Sequence, residues 1–179
     1  MIKFLKIRIV PEFGIYENVS YIPDIIRLVK AYGNKLFDDY FLDSGENITK
    51  VLIALIQRTS PCFWVIASSD GEFRGFVYLD DWLGSSKRSH SASVTTCIDP
   101  KYWGKFTRFA GKRFIKYVFK RYKLVKLKAE VYRHNRNAIN LLQKLGFKKE
   151  CTLKSETMVG LRPVDIDVYS IIKVNKRMV

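Results

Sequence analysis

Polar and apolar positions alternate from Lys6 until the chain meets Pro11, and that period of two predicts a first strand over 6–10 with one face buried. The period then lengthens. Ile22, Ile25, Ile26 and Val29 recur at helical spacing, with Pro23 in the first turn and Gly33 at the stop, which predicts a helix from about Ser20. A second helix starts at the capping residue Asn47 and carries Ile48, Val51, Leu52, Leu55 and Ile56 at i, i+3, i+4, i+7 and i+8, until Pro61 breaks the pattern. Two apolar runs, 63–68 and 73–79, flank Asp70-Gly71 and predict an antiparallel hairpin. A further strand over 91–98 ends at Asp99-Pro100.

The second half continues the alternation of types. Residues 101–123 form a long helical pattern with Phe106, Ala110, Phe114, Tyr117 and Val118 on one side; 124–132 then alternates apolar residues with Lys and Glu, as a strand does. A helix over 137–145 stops at Gly146, and strands follow near 148–153 and 164–174. The predicted order is β-α-α-β-β-β-α-β-α-β-β, an α/β (α+β) class. The stretch from Gly84 to Ser89 is the only linker-like segment and is too short to separate domains, so one domain spanning 1–179 is expected.

Composition narrows the picture. A chain of 179 residues, 47% hydrophobic, has enough apolar surface for one substantial core. Its 32 Lys+Arg against 17 Asp+Glu give a formal charge of +15, a field that draws anionic partners without choosing among them. Cys62, Cys97 and Cys151 are odd in number and form no metal-ligand pattern, which fits a reducing cytoplasm. His90 and His134 are the only histidines, so neither a His-rich metal site nor a nucleophile triad is expected. Charge interrupts the apolar residues of the N-terminus and no run of about 18 apolar residues occurs, so a cytoplasmic, unexported protein is expected.

Two segments carry a resemblance. Ile98-Asp99-Pro100-Lys101-Tyr102-Trp103-Gly104-Lys105-Phe106-Thr107-Arg108 resembles the cofactor loop of the GNAT (GCN5-related N-acetyltransferase) family, an aliphatic residue, any, Pro, then Gln/Arg-x-x-Gly-x-Gly/Ala. Residues 135–150, Asn-Arg-Asn-Ala-Ile-Asn-Leu-Leu-Gln-Lys-Leu-Gly-Phe-Lys-Lys-Glu, resemble the signature of the branch that acetylates protein N-termini and ribosomal proteins. The resemblance implies a mixed, mostly antiparallel sheet flanked by helices. It also implies acetyl-coenzyme A as co-substrate, no metal, and a cofactor site at Ile98, Trp103, Gly104, Lys105, Phe106, Thr107, Arg108 and Asn135. A strand feeding a helix N-terminus independently suits a pyrophosphate, because several backbone N–H groups and the helix dipole converge there.

The chain departs from the pattern at chemically informative places. Gly104 is kept, but Phe106 and Arg108 replace the later small residues and Trp103 stands where Gln or Arg is usual. Leu142 occupies the position of the tyrosine that serves many members as general acid, and strand 91–98 holds no Glu. His90 is then a candidate base, since a neutral imidazole suits proton removal from an amine through a water; the alternative is a surface histidine. Glu130 is a second candidate base or a solvated strand residue, and Tyr169 a candidate late acid or a core tyrosine. Asn135 caps a helix, with or without a contact to the pantetheine amide that the resemblance implies.

Segment 101–129 contains Lys and Arg but no Asp or Glu, and Lys105, Arg108, Lys112, Lys116, Lys120 and Lys123 share one helix face. That face is either solvated or a docking surface for nucleic acid or an acidic partner. Two functions follow: an N-acetyltransferase acting on a peptide N-terminus or small amine, or a fold retained without chemistry as a binding and assembly module.

Overall fold

The computed structural model describes residues 1–33, 37–38, 47–85 and 88–173. A sheet of seven strands, ordered β1-β4-β5-β6-β7-β9-β8, runs through the molecule. Its members are β1 (Ile2–Lys6), β4 (Phe63–Ser68), β5 (Phe73–Ser85), β6 (Arg88–Ile98), β7 (Lys126–Tyr132), β8 (Lys148–Val159) and β9 (Arg162–Ile172). Every pairing is antiparallel except β6 with β7. A short hairpin of β2 (Arg8–Val10) and β3 (Ile15–Glu17) stands apart from it.

Among the described residues four α-helices cover the sheet: α1 (Ile22–Tyr32), α2 (Ile48–Thr59), α3 (Lys105–Tyr122) and α4 (Arg136–Lys144). One core packs the sheet against α3 and α4 through Trp64, Ile66, Leu79, Phe114 and Leu127; the other packs it against α1 and α2 through Ile25, Leu28, Ile56, Phe63 and Phe76. Strand β4 therefore alternates between two cores, Trp64 and Ile66 into the first and Phe63, Val65 and Ala67 into the second. That double burial is why its sequence reads as an unbroken apolar run. Each such large side chain contributes roughly 1.5–3 kcal/mol by leaving water.

The same two-sided burial corrects the predicted first strand. Ile2 and Phe4 face one core while Leu5, Ile7 and Ile9 face the other, so the pairing strand runs earlier, over Ile2–Lys6, and the predicted 6–10 segment continues into the β2–β3 hairpin. The turn at Gly14, with φ of 62°, closes that hairpin. The expected order thus gains two short strands. Of the Gly84-to-Ser89 stretch, read as linker-like, Gly84 pairs with Ser89 and Ser85 with Arg88 across β5 and β6, while 86–87 lie outside the described residues. The β8–β9 hairpin is also longer than expected, closing through Gly160 and Leu161, both with φ of 59°. Two positive φ values in a two-residue turn match the right-handed strand twist; Leu in the second place hides that turn from a sequence reading.

Helix α3 buries Thr107, Ala110, Phe114 and Val118 at helical period. Phe106, expected on the buried side, is only half-buried against Tyr102, with the Arg74 guanidinium 4.9 Å from its ring. Helix α4 starts at the cap Asn135 and approaches α3 closely at Gly111, where an added Cβ would come within 2.7 Å of Leu145. Among the described residues no helix is long and apolar enough to cross a membrane.

Candidate active site

Strand β6 hydrogen-bonds along β7 only where Ser91, Ala92 and Ser93 face Lys126, Leu127 and Lys128. Beyond Ser93 and Lys128 the two parallel strands part, while β6 stays paired with β5 as far as Ile98 and β7 stays paired with β9 as far as Tyr132. The outcome is a cleft in the middle of an otherwise continuous sheet. Backbone groups of β6 that face the gap have lost their ladder partners there, so a ligand lying in it can complete the ladder.

One end of the cleft is the turn into α3. Asp99 accepts the N–H of Lys101 and caps the short turn Pro100–Tyr102, and the Trp103 indole N–H donates to the Ile98 carbonyl at 2.8 Å. Gly104 then precedes α3 with φ of 96° and ψ of −118°, a conformation that favours glycine, and open space surrounds its missing Cβ. The first intrahelical bond is Arg108 N–H to the Gly104 carbonyl, which leaves the N–H groups of Lys105, Phe106 and Thr107 without intrahelical acceptors. A cavity of about 320 Å³ opens beside them, lined by Ile98, Trp103, Gly104, Thr107, Arg108, Asn135 and Lys144 among others. Open backbone, a helix N-terminus and two exposed cations suit the phosphates of a coenzyme A.

The substitutions at the later small positions of this loop leave the cavity open. Phe106 turns its ring toward Tyr102 and Arg74 instead of lining the cavity, and Arg108 lines it with an exposed side chain. Asn135 caps α4, its Oδ1 accepting the Ala138 N–H at 3.3 Å, and it borders both this cavity and the next.

The second cavity, about 490 Å³, lies on the other side of Asn135 and is lined by carboxylates: Asp38, Asp80, Asp81, Glu130 and Glu156. Ser93, Thr95, Tyr132 and Leu142 complete much of its wall. In a chain of net charge +15, five carboxylates around one cavity gather negative charge in one place. Asp80 sits at a break in the β5–β6 register, followed by Asp81 with φ of 44°. Burial, and then the neighbouring Asp81 charge, pushes the Asp80 carboxyl up to about 6.

The candidate bases read from sequence separate here. Glu130 lines the acidic cavity with an exposed side chain. His90 does not: it lies exposed at the start of β6, where its backbone carbonyl accepts the Val125 N–H at 2.9 Å, and lines none of these cavities. Tyr169 is 4% exposed, faces Ala129 and Lys149 in the sheet and packs in the α3-side core, so the expected late acid is a core tyrosine. Asp80 and Asp81 escaped the sequence reading because Asp80-Asp81 looks like the polar end of a strand; only the partner strands reveal what they face. Lys105, Arg108, Lys112, Lys116 and Lys120 are exposed along α3, with Lys123 exposed just past its end. Phe109, 52% exposed, stands among them.

Comparison with known proteins agrees with this geometry. Residues 34–148 match the family model described as acetyltransferase (GNAT) domain. The spermidine N-acetyltransferase from Vibrio cholerae, solved with CoA and spermine, superposes with a TM-score of 0.73 at 20% identity, covering 96% of this chain and 95% of that one. A GNAT-family acetyltransferase from Bacillus anthracis superposes with a TM-score of 0.71 at 14% identity, over 96% and 94% of the two chains. No curated protein sequence matches the chain significantly. The first of these two structures is named for spermidine and not for a protein N-terminus, so the narrower likeness of residues 135–150 to the N-terminus-acetylating branch finds no counterpart in it. The sheet topology, the parted strands and the sequence match agree: this chain belongs to the GNAT acetyltransferase family.

Proposed function

We propose that the protein is an acetyl-coenzyme A-dependent N-acetyltransferase whose acceptor is a small amine carrying further positive charge, such as a polyamine. The observation that carries this reading is the parting of β6 from β7, with the glycine-capped start of α3 at one end and the carboxylate-lined cavity at the other. Acetyl-coenzyme A would enter with its phosphates at residues 104–108 and its pantetheine arm along the freed edge of β6, with Asn135 beside it. The thioester would then meet the acidic cavity, and a backbone N–H of β6 would polarise its carbonyl.

The amine attacks the thioester carbon directly, so the protein supplies positioning, charge stabilisation and proton removal. Five carboxylates favour a polycation over a peptide N-terminus, which brings a single charge and a bulky chain. The spermidine enzymes of the same fold point the same way.

Thermal denaturation of the full chain with acetyl-coenzyme A, followed by transfer assays on spermidine and on peptides, tests the reading. A rise of several degrees and turnover of spermidine are expected. No stabilisation at millimolar acetyl-coenzyme A sinks it; stabilisation with turnover of peptides alone replaces the acceptor.

A further inference from the structure

Asp80 and Ser93 stand directly opposite one another on β5 and β6. Ser93 is also the last residue of β6 that pairs with β7. Their shared rung is therefore the floor of the cleft, where the two halves of the sheet begin to part, and both residues line the acidic cavity. Directly opposed side chains on one face of a sheet lie with their Cβ atoms roughly 5 Å apart, close enough to hold one nitrogen or water between them.

Ser93 carries the independent sign of a ligand. It is 6% exposed, and its Oγ is buried without a hydrogen-bond partner. A hydroxyl taken out of water and left unpaired costs free energy, and such groups in native folds are ordinarily satisfied. The missing partner of Ser93 is a group that arrives in the cavity.

Asp80 supplies the other half. Its side chain is 22% exposed, and its one ion-pair partner among the described residues, Arg58 of α2, is 3.9 Å away with 71% of its own side chain in solvent. Among the described residues the other groups that act on it are acidic or neutral: Asp81 on its own strand, Glu130 on β7, and Tyr78. Asp38 and Glu156 border the same cavity. Asp81, Glu130 and Glu156 are exposed, whereas Asp80 is partly withdrawn from water.

Resting on the acetyltransferase reading above, we infer that Asp80 is the base that takes the proton from the acceptor's ammonium, while Ser93 accepts a second N–H and aims the nitrogen at the thioester. The step balances. Two N–H bonds break in all. The first proton forms an O–H bond on Asp80 and frees the lone pair that forms the C–N bond. The second leaves the now cationic nitrogen as the C–S bond breaks and protonates the departing thiolate, and the Asp80 carboxylic acid gives its proton to solvent. A base whose carboxyl is pushed up to about 6 is mostly ionised near pH 7 yet a better proton acceptor than an ordinary aspartate.

The experiment uses the full chain, acetyl-coenzyme A and spermidine, and follows kcat/KM from about pH 5 to about pH 9. Wild type should gain activity as pH rises through about 6. Asp80→Asn should lose about 100-fold or more and lose that rising limb while keeping its affinity for acetyl-coenzyme A. Ser93→Ala should raise KM about 5- to 10-fold and keep the limb, as loss of one hydrogen bond to a charged group implies. Retention of the limb in Asp80→Asn, or its loss in Glu130→Gln instead, overturns the assignment.

A second measurement needs neither variant nor turnover. In wild type carrying 13C-labelled aspartate, the Asp80 carboxyl is titrated with and without spermidine; the bound ammonium should lower its midpoint. An unmoved midpoint overturns the assignment even if acetyl transfer proceeds. Absence of transfer to any amine, with the midpoint displaced, overturns the acetyltransferase reading and leaves the amine site standing.

Discussion

Arg27 reaches out of α1 to within 3.2 Å of the buried carboxylate of Asp99, tying the helical layer on one side of the sheet to the turn that presents Gly104 on the other side. Asp99 is 4% exposed and also accepts the Lys101 N–H. Removing Asp99 therefore strips a cap and leaves Arg27 with only the longer pair to Asp24, at 3.7 Å, whereas removing Arg27 leaves a carboxylate still capping a turn. Asp99→Ala should destabilise the fold by about 1–3 kcal/mol and Arg27→Ala by about 1 kcal/mol or less. Urea titration of the two variants should show that order, and both should weaken acetyl-coenzyme A binding.

Gly104 offers a cleaner test of the loop. No atom lies within 4 Å of a Cβ built there, so Gly104→Ala meets no clash, only the cost of holding φ of 96°. That cost is about 1–3 kcal/mol. If residues 104–108 cradle the coenzyme's phosphates, calorimetry should show at least a tenfold loss of acetyl-coenzyme A affinity with a modest loss of stability.

Asn135 combines a cap with a place on both cavity walls. Asn135→Ala should cost about 1 kcal/mol through the cap and also weaken acetyl-coenzyme A. Asn135→Asp retains a capping oxygen but removes the amide donor, so it should keep stability and still bind the coenzyme poorly. Equal affinity of Asn135→Asp and wild type for acetyl-coenzyme A would leave Asn135 a cap alone.

The Asp80 carboxyl also predicts a pH-dependent stability. Its folded-state value of about 6 lies above the ordinary 3.8, so between these values the folded state binds more proton than the unfolded one. Stability then falls as pH rises through that window, and the loss persists at neutral pH. Asp80→Asn should accordingly be more stable than wild type at pH 7, by about 1 kcal/mol after allowance for solvent at this partly exposed group. The difference should vanish below about pH 3, where Asp80 is protonated in both states. Chemical denaturation at the two pH values decides it; an Asp80→Asn variant less stable at pH 7 would contradict the burial described.

The sequence by itself determined the helices, the central strands and the loop that starts α3, because these depend on contacts within a few residues. Asn47 and Asn135 cap through their own neighbours, Asp70-Gly71 turns its own hairpin, and Gly104 fixes a local backbone angle. The tertiary structure alone decided what depends on which strand lies beside which. Ile2 belongs to the main sheet because Ser68, sixty-six residues later, pairs with it, and His90 and Tyr169 leave the site because their strands turn them to solvent or into the core. Asp80, Ser93 and Glu130 come from three strands and meet only where β6 leaves β7. No local pattern encodes that meeting, since a carboxylate at a strand end reads the same whether it faces water or the floor of a cleft.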